Sequence, residues 1–118
     1  MSTRFLVAGM AAVIVAGCAN DPAPTEQMKL TEQAIAQAKA VGAEGEELPQ
    51  MQQAEERYAA ARAELLKQSY KNARMQAERA ELDARLAEAQ TLTLKSEEQR
   101  AQLEARLERL RKQLKEAQ

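Results

Sequence analysis

The chain has 118 residues, with 17 basic and 18 acidic side chains, one cysteine, no histidine and no tryptophan. That length admits one small domain or one elongated helical unit, and so few aromatics argue against a large globular core. A lone cysteine without histidine leaves only carboxylates as metal ligands, so no cofactor is expected, and nucleic acid is excluded because basic side chains alternate with acidic ones and no aromatic platform accompanies them.

The N-terminus is built in three parts. Met1–Arg4 carries the positive charge of Arg4, Phe5–Val15 is uncharged, and the small residues Ala16 and Gly17 precede Cys18. The apolar run is too short for an ordinary transmembrane helix and fits a secretory signal. With a lone cysteine at the cleavage position, it resembles a bacterial lipoprotein signal. The resemblance implies that residues 1–17 are removed and that Cys18 becomes the lipidated first residue, carrying diacylglycerol and an amide-linked acyl chain. One acyl chain binds a bilayer marginally, whereas several hold firmly. Ala19 rather than aspartate follows the cysteine. In the enterobacterial sorting pattern this implies the outer membrane, with the body facing the periplasm.

Residues 18–25 contain Pro22 and Pro24 and read as a short extended tether. The rest of the chain, 26–118, is rich in Ala, Glu, Gln, Leu, Arg and Lys, which favour helix. After Val41 the only β-branched residues are Thr91 and Thr93, so strands are not expected. Thr25 is placed to cap a first helix over about 26–41, whose apolar stripe is Leu30, Ala34, Ala38 and Val41, flanked by Met28 and Ile35. Gly42 suits the left-handed position that closes it. Pro49 then opens a second helix, about 49–67, with Met51, Ala54, Tyr58, Ala61 and Leu65 in a 3-4 repeat.

At Lys67-Gln68-Ser69-Tyr70 this seam turns polar, and a new stripe starts on another face: Tyr70, Ala73, Ala77, Ala80, Ala84 and Ala87. Either a tight turn lies here, capped by Ser69, or one helix continues from Pro49 to the end; the change of face favours the turn. The third helix, about 70–116, keeps a heptad register in which Leu82, Leu86 and Ala89 return as Leu103, Leu107 and Leu110, followed by Leu114. Thr93, Ser96 and Arg100 interrupt it. The fold class is therefore all-α: an elongated helical hairpin of three helices, the last long and coiled-coil-like.

Charge divides the chain. Asp21–Glu56 holds eight acidic and two basic residues, whereas Arg57–Gln118 holds fourteen basic and ten acidic. The pairs Glu46-Glu47, Glu55-Glu56 and Glu97-Glu98 do not suggest acid–base chemistry, since adjacent helical side chains point about 100° apart. Neither a phosphate loop nor a nucleophile motif is present. Tyr58 and Tyr70 read as packing residues, and Met51 and Met75 as gap fillers at seam-compatible steps.

The signal at Cys18, the helix ending at Ala40-Val41-Gly42-Ala43, Pro49 opening the next helix and Leu65–Ala80 around Tyr70 together resemble a family of small Ala-rich helical lipoproteins known only as a domain of unknown function. Many relatives place Gly-Asp before that tyrosine, where this chain has Gln68-Ser69. The resemblance implies location and shape rather than chemistry. The expected role is that of a non-enzymatic structural or scaffolding lipoprotein contacting peptidoglycan or envelope proteins. The alternative is an accessory module for one envelope partner, such as an OmpA-like protein. Leu82, Leu86, Leu103, Leu107, Leu110 and Leu114 are the expected interaction seam. With the N-termini held in one plane, they point to a weak parallel homo-oligomer.

Overall fold

The structure, a computed structural model, describes residues 21–44 and 48–118. The signal segment 1–17, the anchor Cys18, the first residues of the tether and Glu46-Glu47 lie outside the described residues. Three helices form the fold: α1 (Thr25–Ala40), α2 (Pro49–Leu66) and α3 (Tyr70–Glu116). The described residues contain no strand. The fold is thus the expected all-α, three-helix hairpin with a long last helix.

Local chemistry sets the helix ends. Gly42 takes φ 89°. Around it the Gly42 N–H donates to Lys39 O and the Ala43 N–H to Ala38 O. This pair of bonds closes a helix through one left-handed residue, and glycine takes that conformation without cost. The same pair recurs after α2, where the Gln68 N–H donates to Leu65 O and the Ser69 N–H to Glu64 O. Gln68 is the left-handed residue there, at φ 59°. The turn therefore exists without glycine, and α3 folds back on α2. Its start differs from expectation in one respect. Ser69 occupies the cap position, but its side chain bonds no backbone N–H of α3. At α1 the cap position falls on Pro24, and Thr25 is already helical. The Pro24 carbonyl accepts from the Met28 N–H, so the helix begins one residue earlier than the threonine cap required.

The three helices meet on alanine. Ala34, Ala38, Ala43, Ala54, Ala61, Ala73, Ala77, Ala80, Ala84 and Ala87 are buried, with Met28 and Met51 as the larger members. Each buried methyl contributes only about 0.8 kcal/mol, so stability rests on many such contacts made at close range. α3 is the common partner: α1 and α2 both lie along its alanine face. Three bonds fix α1 parallel to α3. Arg74 Nη2 donates to Pro22 O at 3.2 Å, Thr31 Oγ1 lies 2.9 Å from Ala77 O, and Lys95 Nζ donates to Val41 O at 2.5 Å.

Close packing reverses part of the expected α1 stripe. Leu30 is exposed and Val41 half-buried, whereas Met28, Thr31, Ala34 and Ala38 face inward. Thr31 is the largest fully buried side chain among the described residues. Its hydroxyl also lies 2.9 Å from Gln27 O, so a polar group is carried into the alanine interface fully satisfied. A leucine in its place would hold the helices apart. Met51 fills space as expected, but Met75 is exposed. Tyr58 packs, half-buried, against the cluster of Met28, Ala61 and Ala77.

Candidate interaction surface

α3 has two apolar faces. Ala73, Ala77, Ala80, Ala84, Ala87 and Thr91 form the buried one. Leu82 and Leu86 lie about 140–180° further round the helix at 100° per residue. They are 66% and 47% exposed although α1 and α2 flank this same stretch of helix. The leucine face is thus open where the bundle exists as well as beyond it, because the chain's own helices occupy the other side.

Past Thr91 every residue of α3 is exposed. Glu97 borders an open pocket with Leu48, Pro49 and Gln50, and Lys95 makes the last described hydrogen bond to the bundle. Its ammonium meets the carbonyl end of α1, where the helix dipole favours a cation. Beyond it about 30 Å of helix runs free at 1.5 Å per residue. Leu103, Leu107, Leu110 and Leu114, between 53% and 68% exposed, continue the seam along that rod. The structure therefore places all six seam leucines on one side of α3. The side chains of Thr93, Ser96 and Arg100 divide them into a proximal pair and a distal four.

The charges on the free rod are loosely held. Arg100 lies 3.7 Å from Glu104 and Arg111 lies 3.9 Å from Glu108, with all four side chains at least 70% exposed. Such pairs contribute little and remain available to a partner. Within the bundle the ion pairs are shorter. Arg57 meets Asp83 at 2.6 Å between α2 and α3, and Lys39 meets Glu55 at 2.5 Å between α1 and α2. The Glu55 carboxylate, through its hydrogen bond and its charge, holds the Lys39 ammonium above the ordinary lysine value. Glu81 accepts from Gln27 of α1 at 2.7 Å and from Arg85. Both bonds, that of Gln27 first, lower its carboxyl below the usual range.

The open groove between α1 and α2 is lined by Glu32, Ile35, Lys39, Glu55, Tyr58 and Arg62. Burial, and then the charge of Glu32, raise the Tyr58 phenol above its ordinary value. Among the groove's charged residues Lys39 and Glu55 pair across the two helices. Among the described residues no group of three or more cysteine or acidic side chains is arranged to hold a metal ion. No described helix is long and apolar enough to cross a membrane. Thr31 and Lys95, which dock α1 on α3, were not singled out from the sequence. A threonine at the 3-4 spacing of Ala34 and Ala38 was the available signal for the first.

A short three-helix bundle with an alanine core, and one helix carrying an open leucine seam beyond it, defines the class of protein. Residues 26–103 match the family DUF4398, a domain of unknown function. The chain belongs to that family. It is similar to a DUF4398 family protein from Pseudomonas aeruginosa PAO1, whose crystal structure is at 2.47 Å resolution. The two are 54% identical with a TM-score of 0.78, over 82% of this chain and 100% of the other. No curated protein matches the chain.

Proposed function

We propose that the protein is a membrane-anchored structural lipoprotein. In this reading Cys18 carries the lipid, residues 19–24 form the tether, and the helical body projects into the periplasm from the outer membrane, where it contacts cell wall or envelope proteins. The observation that carries the reading is the placement of the two ends. The tether enters beside the first turns of α3, where Arg74 holds Pro22, and α1 runs parallel to α3. The free leucine rod therefore points away from the tether, and the 47 residues of α3 set its tip about 70 Å from that end. A tethered helix with an unpartnered seam at its far end has the form of a spacer that holds a contact site at a fixed height.

The tip is basic. From Arg106 to Gln118 there are five basic and two acidic residues. Contact of this tip with the anionic cell wall should weaken as salt rises. Fractionation of Cys18→Ser tests the anchor: the variant should remain unprocessed and leave the outer-membrane fraction. Correct cleavage and outer-membrane recovery of that variant would refute lipidation at Cys18. The open seam equally suits an accessory module for one envelope protein. Crosslinking from envelope extracts separates the two, since a single stoichiometric partner favours the accessory role.

A further inference from the structure

We infer that the distal seam is a pairing site for a second copy of this chain, and that the two tails run antiparallel. The inference rests on the exposed rod and its charges and does not depend on the lipid anchor. Leu103, Leu107, Leu110 and Leu114 follow at steps of 4, 3 and 4, which is the seam of a coiled coil. All four face solvent on the isolated chain. What distinguishes the possible occupants is the set of residues flanking that seam.

Glu104 and Arg111 each follow a seam leucine directly, on the same shoulder of the helix, and Arg106 lies on the opposite shoulder. In a parallel pair, opposite shoulders meet. Arg106 then faces Arg111 of the second copy, twice, and Arg100, which sits in the seam itself, faces Arg100 of the second copy. Like charges are opposed at each of these places. In an antiparallel pair, like shoulders meet. Leu107 packs against Leu110 of the second copy and Leu103 against Leu114 of the second copy. Glu104 then faces Arg111 of the second copy, twice, and Arg106 faces the uncharged Gln113. Arg100 falls opposite the small, exposed Ala117 of the second copy. Flanking charges of this kind set partner orientation in coiled coils. The intrachain partners of Glu104 and Arg111, at 3.7 and 3.9 Å on exposed side chains, compete only weakly.

The geometry of the pair follows. The bundles sit at the two outer ends, and the tether ends lie about 110 Å apart at 1.5 Å per residue of helix. Such a pair is bipolar, in contrast to the parallel arrangement expected from N-termini held in one plane.

Sedimentation equilibrium of residues 19–118 tests the inference, since all the described packing lies within them and the whole of the solved relative's chain aligns to 82% of this one. The chain should dimerise reversibly below about 1 mM. Arg111→Glu should weaken dimerisation by about tenfold, because two attractive pairs become repulsive. Glu104→Arg with Arg111→Glu should restore it, and Leu107→Glu should abolish it with helicity unchanged by circular dichroism. In a parallel pair Arg111→Glu would instead tighten association. A strict monomer at 1 mM, tightening by Arg111→Glu, or indifference to Arg111→Glu or Leu107→Glu would each overturn the proposal.

Discussion

Gln68 carries the hairpin at the price of a left-handed backbone. A residue with a Cβ at φ 59° is strained by about 1–2 kcal/mol relative to a right-handed one, a cost that glycine avoids. Part of the gain from glycine is returned as entropy of the unfolded chain. Gln68→Gly should therefore stabilise the bundle by about 1 kcal/mol, read as a higher urea midpoint with unchanged slope. A lower midpoint would mean that the glutamine side chain contributes more than its backbone costs. Glu81 makes a second residue-level prediction. Its pKa is lower in the folded than in the unfolded chain, so its contribution is fully present above the ordinary glutamate value of about 4.3. That contribution is lost as pH falls through the depressed folded value. Glu81→Gln should lower the thermal midpoint at pH 7, and its deficit relative to the parent should shrink between about pH 5 and pH 3. A deficit constant with pH would assign the loss to packing.

The alanine face of α3 decides the spacing of the helices. Ala84 and Ala87 touch the cluster that joins α1 and α2 through Ala34, Ala38, Ala43, Met51 and Ala54. Overfilling a close-packed core typically costs about 1–3 kcal/mol, and a helix interface built on methyl groups has no slack to take up three more carbons. Ala84→Leu should thus reduce stability by about 3 kcal/mol or unfold the bundle, whereas Leu82→Ala, two residues away on the open face, should change the monomer by less than about 0.5 kcal/mol. Thermal unfolding followed at 222 nm compares them. Equal effects would show that the leucine face is packed within the monomer.

At the scale of the molecule, two parts of one continuous helix have different stabilities. Residues after Glu98 have no described contact with the bundle, so a stop after Glu98 should leave the unfolding midpoint of the dilute monomer within about 2 °C of the parent. The free rod should exchange its amide hydrogens fastest, because a helix without tertiary cover is only marginally stable in water. A truncated chain that melts far lower would require contacts between the tail and its own bundle.

The helix punctuation was legible from the residues alone. Gly42, Pro49 and the change of stripe near Tyr70 located the three elements, since backbone preferences act locally and leave their mark at the position concerned. The alanine face of α3 and the leucine register also followed from spacing, because a helix converts sequence interval directly into direction. What the sequence did not yield was which apolar residues meet. Leu30 is more apolar than Thr31, yet the threonine is buried and the leucine is exposed. At Leu82 and Ala84, by contrast, the spacing had already put the two residues on separate stripes. Hydrophobicity ranks leucine first for burial, but how closely the facing helix can approach is a property of the pair, and only the tertiary structure showed that α1 meets the alanine face of α3 through Thr31 and its alanines rather than through Leu30.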